Sequence, residues 1–147
     1  NKLLEKFLDV GINLYAQHNG LPNNKILQHF KEDENSVLFG VDSFWMGVDI
    51  PGNSLRNVIV TKLPFDVPDH PVIEAKLEFI MEKGGNPFMD YSLPTAILKF
   101  KQGVGRLIRN KTDEGIICIL DRRILSKPYG KFFINSLPEC EIIIEGE

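Results

Sequence analysis

The sequence has little of several features that mark specialised classes of protein. Its 17 lysines and arginines do not outnumber its 20 aspartates and glutamates, and the formal net charge is -3. This balance excludes a strongly basic protein that coats nucleic acid, although it leaves room for a local basic surface. No apolar run approaches the roughly 18 residues of a membrane helix, so we expect no signal peptide, no contact with a membrane and a cytoplasmic location.

Cysteine is scarce as well. Cys118 and Cys140 are the only two in the chain, and they form neither a CxxC pair nor a Cys/His ligand set. Cys118 lies within the apolar run 116–120, which predicts a buried and inert thiol. The sequence therefore predicts no metal site, and a reducing compartment fits this cysteine usage.

What is present indicates one α/β domain. The 147 residues are 43% hydrophobic and 25% charged, which is typical of a globular domain of this length. Apolar, β-branched runs alternate with helical patterns, and this order favours a mainly parallel sheet flanked by helices, its strands buried on both faces. The strands are predicted at 12–17, 36–41, 57–63 and 115–121, and the helices at 2–9, 24–31, 70–83, 93–110 and 127–137.

The longest helical pattern, 93–110, separates an apolar face from a polar one. At about 100° per residue, Arg106 and Arg109 fall within roughly 40° of Gln102 on the helical wheel. The predicted core face lies opposite and contains Leu93, Ile97, Phe100, Val104, Leu107 and Ile108. Such a helix can simply turn its charged side to water.

Two observations favour a binding role for this polar face. Glycine inside a helix costs about 0.5–1 kcal/mol relative to alanine, yet Gly103 and Gly105 stand beside the polar row. Arginine also has a planar guanidinium that suits phosphate oxygens. The pattern therefore indicates close approach of an anion.

The segment 42–52 follows the second predicted strand, and loops at the carboxyl ends of parallel strands are where ligands bind. It contains Phe44 and Trp45, the flexible Gly47 and the carboxylate of Asp49. The alternative interpretation is a tight connection in which Trp45 packs on the core. The loop alone does not decide between these two interpretations.

Together these segments resemble the DinG branch of the DinG/XPD-like superfamily 2 helicases. Residues 44–52 resemble helicase motif V, and 102–109 resemble motif VI, QxxGRxxR. The segments 62–65, with Pro68 and Pro71, and 119–123 match the same branch, as does the Leu93-Pro94 pair. The resemblance covers the chain from about Ser36 to Leu137.

This resemblance implies a RecA-like, P-loop-NTPase-like second motor domain of a 5′–3′ ATP-dependent DNA helicase. By motif position, Arg109 resembles the arginine finger and Arg106 its companion at the γ-phosphate, while Gln102 and Gly105 belong to the same ATP-facing row. Gly47 and Asp49 would face the nucleotide. Ser43, Phe44 and Trp45 are the candidates for contact with single-stranded DNA.

The departures from the family pattern are equally informative. No GxxxxGK[ST] phosphate loop occurs, so ATP and Mg²⁺ would be bound mainly by a first motor domain of the same chain, outside this sequence. We therefore expect residues 1–147 to be a fragment of a longer protein that lacks the first strand of its domain and is inactive alone. The resemblance implies no iron–sulfur cluster in this segment.

Met46 stands where relatives usually carry glutamate. This position motivates a second hypothesis, in which the domain binds nucleic acid within a degenerate helicase attached to an exonuclease. A third is an interaction domain that keeps the fold alone. The intact Gln102, Arg106 and Arg109 of the motif VI pattern favour the helicase.

Overall fold

The computed structural model describes residues 2–17, 20–41, 55–107 and 114–145. All four predicted strands lie in these ranges, and they pair in parallel as expected. Helices and strands alternate, which confirms the α/β class. The elements in chain order are α1 (Lys2–Asp9), β1 (Asn13–Ala16), α2 (Asn23–Glu32), β2 (Ser36–Phe39), β3 (Asn57–Val60), α3 (Pro71–Glu82), a π-helical turn (Phe88–Ser92), α4 (Leu93–Val104), β4 (Ile116–Ile119), α5 (Arg123–Ser126) and α6 (Gly130–Ile134).

The described strands form two separate pairs rather than the single sheet that we predicted. β1 pairs with β2 and β3 pairs with β4. Each pair has its own apolar cover, because Ile26 and Phe30 of α2 pack with Tyr15 and Leu38 of the first pair. Helices α4 and α6 supply the cover of the second pair. This arrangement is consistent with a RecA-like fold, although the described strands do not form one continuous central sheet.

The larger core lies between β3, α4 and α6. Phe100 and Phe133 are fully buried there, with their ring centroids 5.4 Å apart in an edge-to-face arrangement. The same cluster of buried residues contains Val60, Leu63, Leu93, Ala96, Val104 and Ile124. This core holds α4 against the β3–β4 pair.

The strands are less buried than their hydrophobicity predicted. Val60 of β3 is 1% exposed, but its neighbour Ile59 is 57% exposed, and Ile116 at the start of β4 is 66% exposed. Successive side chains of a strand point to opposite faces, and the helices in the described residues cover only one face of this pair. The prediction of burial on both faces is therefore wrong for the described part of the chain.

Glycine determines where α3 ends. The backbone at Gly84 has a φ of +77°, a conformation that residues with a Cβ rarely adopt. The amide of Gly84 donates to the Met81 carbonyl, and the amide of Gly85 donates to the Ile80 carbonyl. These two hydrogen bonds form a Schellman motif, which turns the chain toward the π-helical segment and α4.

Candidate functional site

Helix α4 carries the polar row that the sequence singled out. Its inner side is anchored by Leu93, Phe100 and Val104, all of which are at most 3% exposed. Ile97 is half-buried against the same core, whereas Ala96 and Gly103 are buried although we did not predict them there. Ile108, the last member of the predicted core face, lies outside the described residues. The inner side of α4 is thus fixed, and Gln102 is exposed on its surface.

The helix is shorter than predicted at its carboxyl end. We expected it to run from 93 to 110, but α4 ends at Val104, with Gly105 as its C-cap. Beyond it the amides of Arg106 and Leu107 donate to the carbonyls of Gly103 and Val104, which is the tighter i→i+3 pattern. A Cβ on Gly105 would lie 2.8 Å from the Lys101 carbonyl oxygen, so this tight turn itself explains the glycine.

Arg106 therefore lies on a turn and not on a regular helix. Arg106 is half-buried, whereas Gln102 and Gly105 are exposed. The helical wheel beyond Val104 no longer describes the direction of the side chains. Arg109, the predicted arginine finger, lies outside the described residues.

The turn after α4 reaches the amino ends of β3 and β4. Leu107 is only 4% exposed. A Cβ on Gly115 would lie 2.6 Å from Leu107 Cδ1 and 2.7 Å from the Arg56 carbonyl oxygen. Arg56 and Gly115 directly precede the two strands, and the Ile116 amide donates to that same carbonyl at 2.9 Å. Arg106 consequently lies near the start of this strand pair.

The carboxyl ends of the same strands carry a different cluster. Asp121 accepts hydrogen bonds from the Leu63 amide (2.8 Å), the Arg123 amide (3.0 Å) and the Arg123 guanidinium (3.0 and 2.6 Å). The guanidinium of Arg123 is the main reason why the pKa of Asp121 is lowered from 3.8 to about 2. Asp121 and Arg123 form an ion pair in the segment after β4, and the hydrogen bond from the Leu63 amide to the same carboxylate joins this segment to the loop after β3.

A second ion pair joins the loop after β3 to α4. Lys99 Nζ donates to Asp66 Oδ1, and both side chains are about four-fifths buried, with relative exposures of 21% and 20%. Phe65, in the same loop, packs edge-to-face on Phe133 with the Arg123 guanidinium 5.5 Å from its ring centre. No pattern in the sequence predicts the Asp66–Lys99 pair, because its members lie 33 residues apart.

The other predicted site residues lie outside the described part of the chain. These are the nucleotide-facing Gly47 and Asp49 and the DNA-contact candidates Ser43, Phe44 and Trp45. Within 2–17, 20–41, 55–107 and 114–145, no three His, Cys, Asp or Glu side chains come together as a metal site would require. Over the same ranges no helix has the length and apolar character to cross a membrane.

Cys118 lies in β4 and is half-buried, whereas Cys140 is exposed. Both thiols are free. The prediction that Cys118 lies on a strand is thus confirmed. We had expected a buried thiol, but Cys118 is only half-buried, because the described helices cover one face of β4.

Comparison with known proteins identifies relatives that cover most of the chain. The 3'-5' exonuclease DinG of Bacillus subtilis is 46% identical over 133 residues, which is 90% of this chain and 14% of that protein. The ATP-dependent DNA helicase DinG of Photobacterium profundum is 50% identical over 115 residues, 78% of this chain and 17% of that protein. The ATP-dependent DNA helicase YoaA of Haemophilus influenzae is 46% identical over 114 residues, 78% of this chain and 18% of that protein.

The chain therefore spans less than a fifth of the length of these relatives. Residues 1–140 match the helicase C-terminal domain, a span that includes both predicted helicase motifs. The resemblance to DinG helicases that the motifs indicated is thus confirmed. The chain belongs to the helicase C-terminal domain family and is homologous to the DinG and YoaA proteins.

Proposed function

We propose that this chain is the second RecA-like motor domain of a 5′–3′ ATP-dependent DNA helicase. In this proposal it completes an ATP site whose other half, with the phosphate loop and the Mg²⁺ ligands, belongs to the first motor domain of the same protein. Arg109 is the arginine finger and Arg106 its companion, while Gln102, Gly105, Gly47 and Asp49 face the nucleotide. Ser43, Phe44 and Trp45 contact single-stranded DNA.

The observation that carries this proposal is the way in which the domain holds its motif VI segment. The inner side of α4 is locked in the core, and Gln102 is exposed on the helix. Arg106 follows on a turn seated at the amino ends of β3 and β4. Because the backbone that carries Arg106 is held in place, its guanidinium can stabilise negative charge that develops on a nucleotide bound by the neighbouring domain.

The chemistry of phosphoryl transfer explains why arginines are needed there. Charge spreads over the phosphate oxygens in the transition state, and donors already in position stabilise it without a cost of reorganisation. An arginine finger contributes roughly 10³–10⁵ in rate. Arg106 and Arg109 are three positions apart in the sequence, and in this proposal both cations act on the same phosphoryl group.

Strand displacement by the intact parent protein tests the motor and its direction. Duplexes with a 5′ or a 3′ single-stranded tail are supplied with ATP, and the proposal expects unwinding of the 5′-tailed duplex. Arg106→Ala should abolish unwinding. Arg122→Ala is the matched control, because Arg122 is an exposed arginine at the opposite end of the strand pair. Preference for the 3′ tail would contradict the proposed polarity.

A second candidate function is nucleic-acid binding beside an exonuclease. Two observations favour it, namely the missing motif V glutamate at Met46 and the similarity to a Bacillus subtilis protein named a 3'-5' exonuclease. Digestion of end-labelled DNA by the intact parent, with and without ATP, separates the two. Nuclease activity without DNA-stimulated ATP hydrolysis would favour this candidate over the motor, whereas both activities together would place a working motor beside a nuclease.

A further inference from the structure

The backbone at Arg106 lies between the end of α4 and the contact of Leu107 with Gly115. Regular helical hydrogen bonding stops at the Gly105 cap. The two amides that follow make i→i+3 bonds, at 3.3 Å for Arg106 and 3.0 Å for Leu107. Each such bond contributes little net free energy, so a buried side chain beside them adds to what fixes the backbone.

Leu107 is that side chain. It is 4% exposed and directly follows Arg106, and Arg109 comes two residues later in the sequence. Its Cγ and Cδ1 atoms occupy the space where a Cβ on Gly115 would stand, at 2.8 and 2.6 Å from that point. The glycine thus lets the leucine reach the first residues of the strand pair.

We propose that Leu107 and Gly115 act as positioning residues for Arg106 of motif VI. They act through Arg106 and do not themselves touch the nucleotide. The proposal rests on the proposed function, because Arg106 needs accurate placement only if it serves an ATP site. Misplacement of a reacting group by about 1 Å can cost on the order of 10²-fold in rate.

The test compares a leucine of α4 with the leucine of the turn that follows it, in the intact parent protein. Leu93, at the first position of α4, is 3% exposed, close to the 4% of Leu107, and Leu93→Ala removes the same atoms as Leu107→Ala. Because the burial and the deleted atoms match, we expect similar losses in Tm. DNA-stimulated ATP hydrolysis should instead separate them, with kcat about tenfold lower for Leu107→Ala than for Leu93→Ala. We expect KM for ATP to stay the same, because the first motor domain holds most of the nucleotide.

Gly115→Ala gives an independent variant that keeps every buried atom. The added methyl group must push on Leu107 and on the Arg56 carbonyl, so kcat should fall in the same way. Leu107→Met, which is nearly isosteric, should restore most of the turnover lost in Leu107→Ala. If Leu107→Ala and Leu93→Ala had equal kcat while Arg109→Ala abolished turnover, the result would overturn this inference and leave the proposed function standing. A parent without ATP turnover would overturn the proposed function and this inference with it.

Discussion

Asp121→Asn should destabilise the domain because this carboxylate joins the two loops at the carboxyl ends of β3 and β4. The Leu63 amide, 58 residues away in sequence, and the Arg123 guanidinium both donate to it. Asparagine keeps the shape and one acceptor oxygen, but its amide group presents donors toward other donors. Leu63 is 3% exposed, and a buried amide that loses its acceptor costs about 1–3 kcal/mol.

The lowered pKa of Asp121 gives a similar value for the contribution of this carboxylate to the free energy of unfolding. Its lowering from 3.8 to about 2 corresponds to roughly 2 kcal/mol for a carboxylate whose side chain is 8% exposed. Arg123 is 41% exposed, and solvent screens its charge, so we expect the net loss in Asp121→Asn to be about 1–2 kcal/mol.

The pH dependence follows from the sign of this shift. A lowered pKa in the folded state means that the charged carboxylate contributes stability at every pH well above 3.8, and that this contribution is lost as the pH falls toward about 2. The wild type should therefore lose its advantage over Asp121→Asn across this interval.

Urea unfolding of the chain, followed by circular dichroism at pH 7 and pH 3, measures both effects. Asp69→Asn is the matched control, since Asp69 is exposed in the loop after β3, to which Asp121 is joined through the Leu63 amide. Amide hydrogen exchange should also be faster at Leu63 in Asp121→Asn. Equal stability of the two asparagine variants at pH 7 would refute the role that we assign to Asp121.

Three further predictions address the fold, the nucleotide and the DNA. Gly130→Ala should destabilise the chain by about 3 kcal/mol or more in urea unfolding, because a Cβ there would lie 1.8 Å from the Ile124 carbonyl oxygen. Unchanged stability would contradict the described packing of α5 on α6. Calorimetry of the isolated chain with ATP and Mg²⁺ should detect only weak binding, and tight binding would contradict the half-site proposal. Trp45→Ala in the intact parent should weaken binding to single-stranded DNA by about 1–3 kcal/mol in fluorescence anisotropy, whereas unchanged affinity would assign Trp45 to packing.

The sequence predicted the elements of this fold better than their ends. The strand expected over 57–63 stops at Val60, and the Leu63 amide donates to the Asp121 carboxylate instead of to a neighbouring strand. Of the helix that we expected over 127–137, only Gly130–Ile134 is helical, and a further short helix that we did not predict precedes it at Arg123–Ser126. Such boundaries depend on partners distant in sequence, which periodicity does not reveal.

The same limit applies to the candidate site. The Asp121–Arg123 pair could be predicted because its members are two residues apart, whereas the pair of Lys99 with Asp66 depends on the packing of α4 against the loop after β3. The wheel found the anchored face of α4 because that face repeats with helical period. It did not foresee the turn at Gly105, which changes how Arg106 is held.

The central claim is that this domain supplies arginines to a shared ATP site. The most direct measurement is ATP hydrolysis by the intact parent protein, with and without single-stranded DNA, for the wild type, Arg109→Ala and the control Arg122→Ala. The account predicts DNA-stimulated turnover that is kept in Arg122→Ala and falls by roughly 10³-fold or more in Arg109→Ala. Turnover that is unchanged in Arg109→Ala would contradict it.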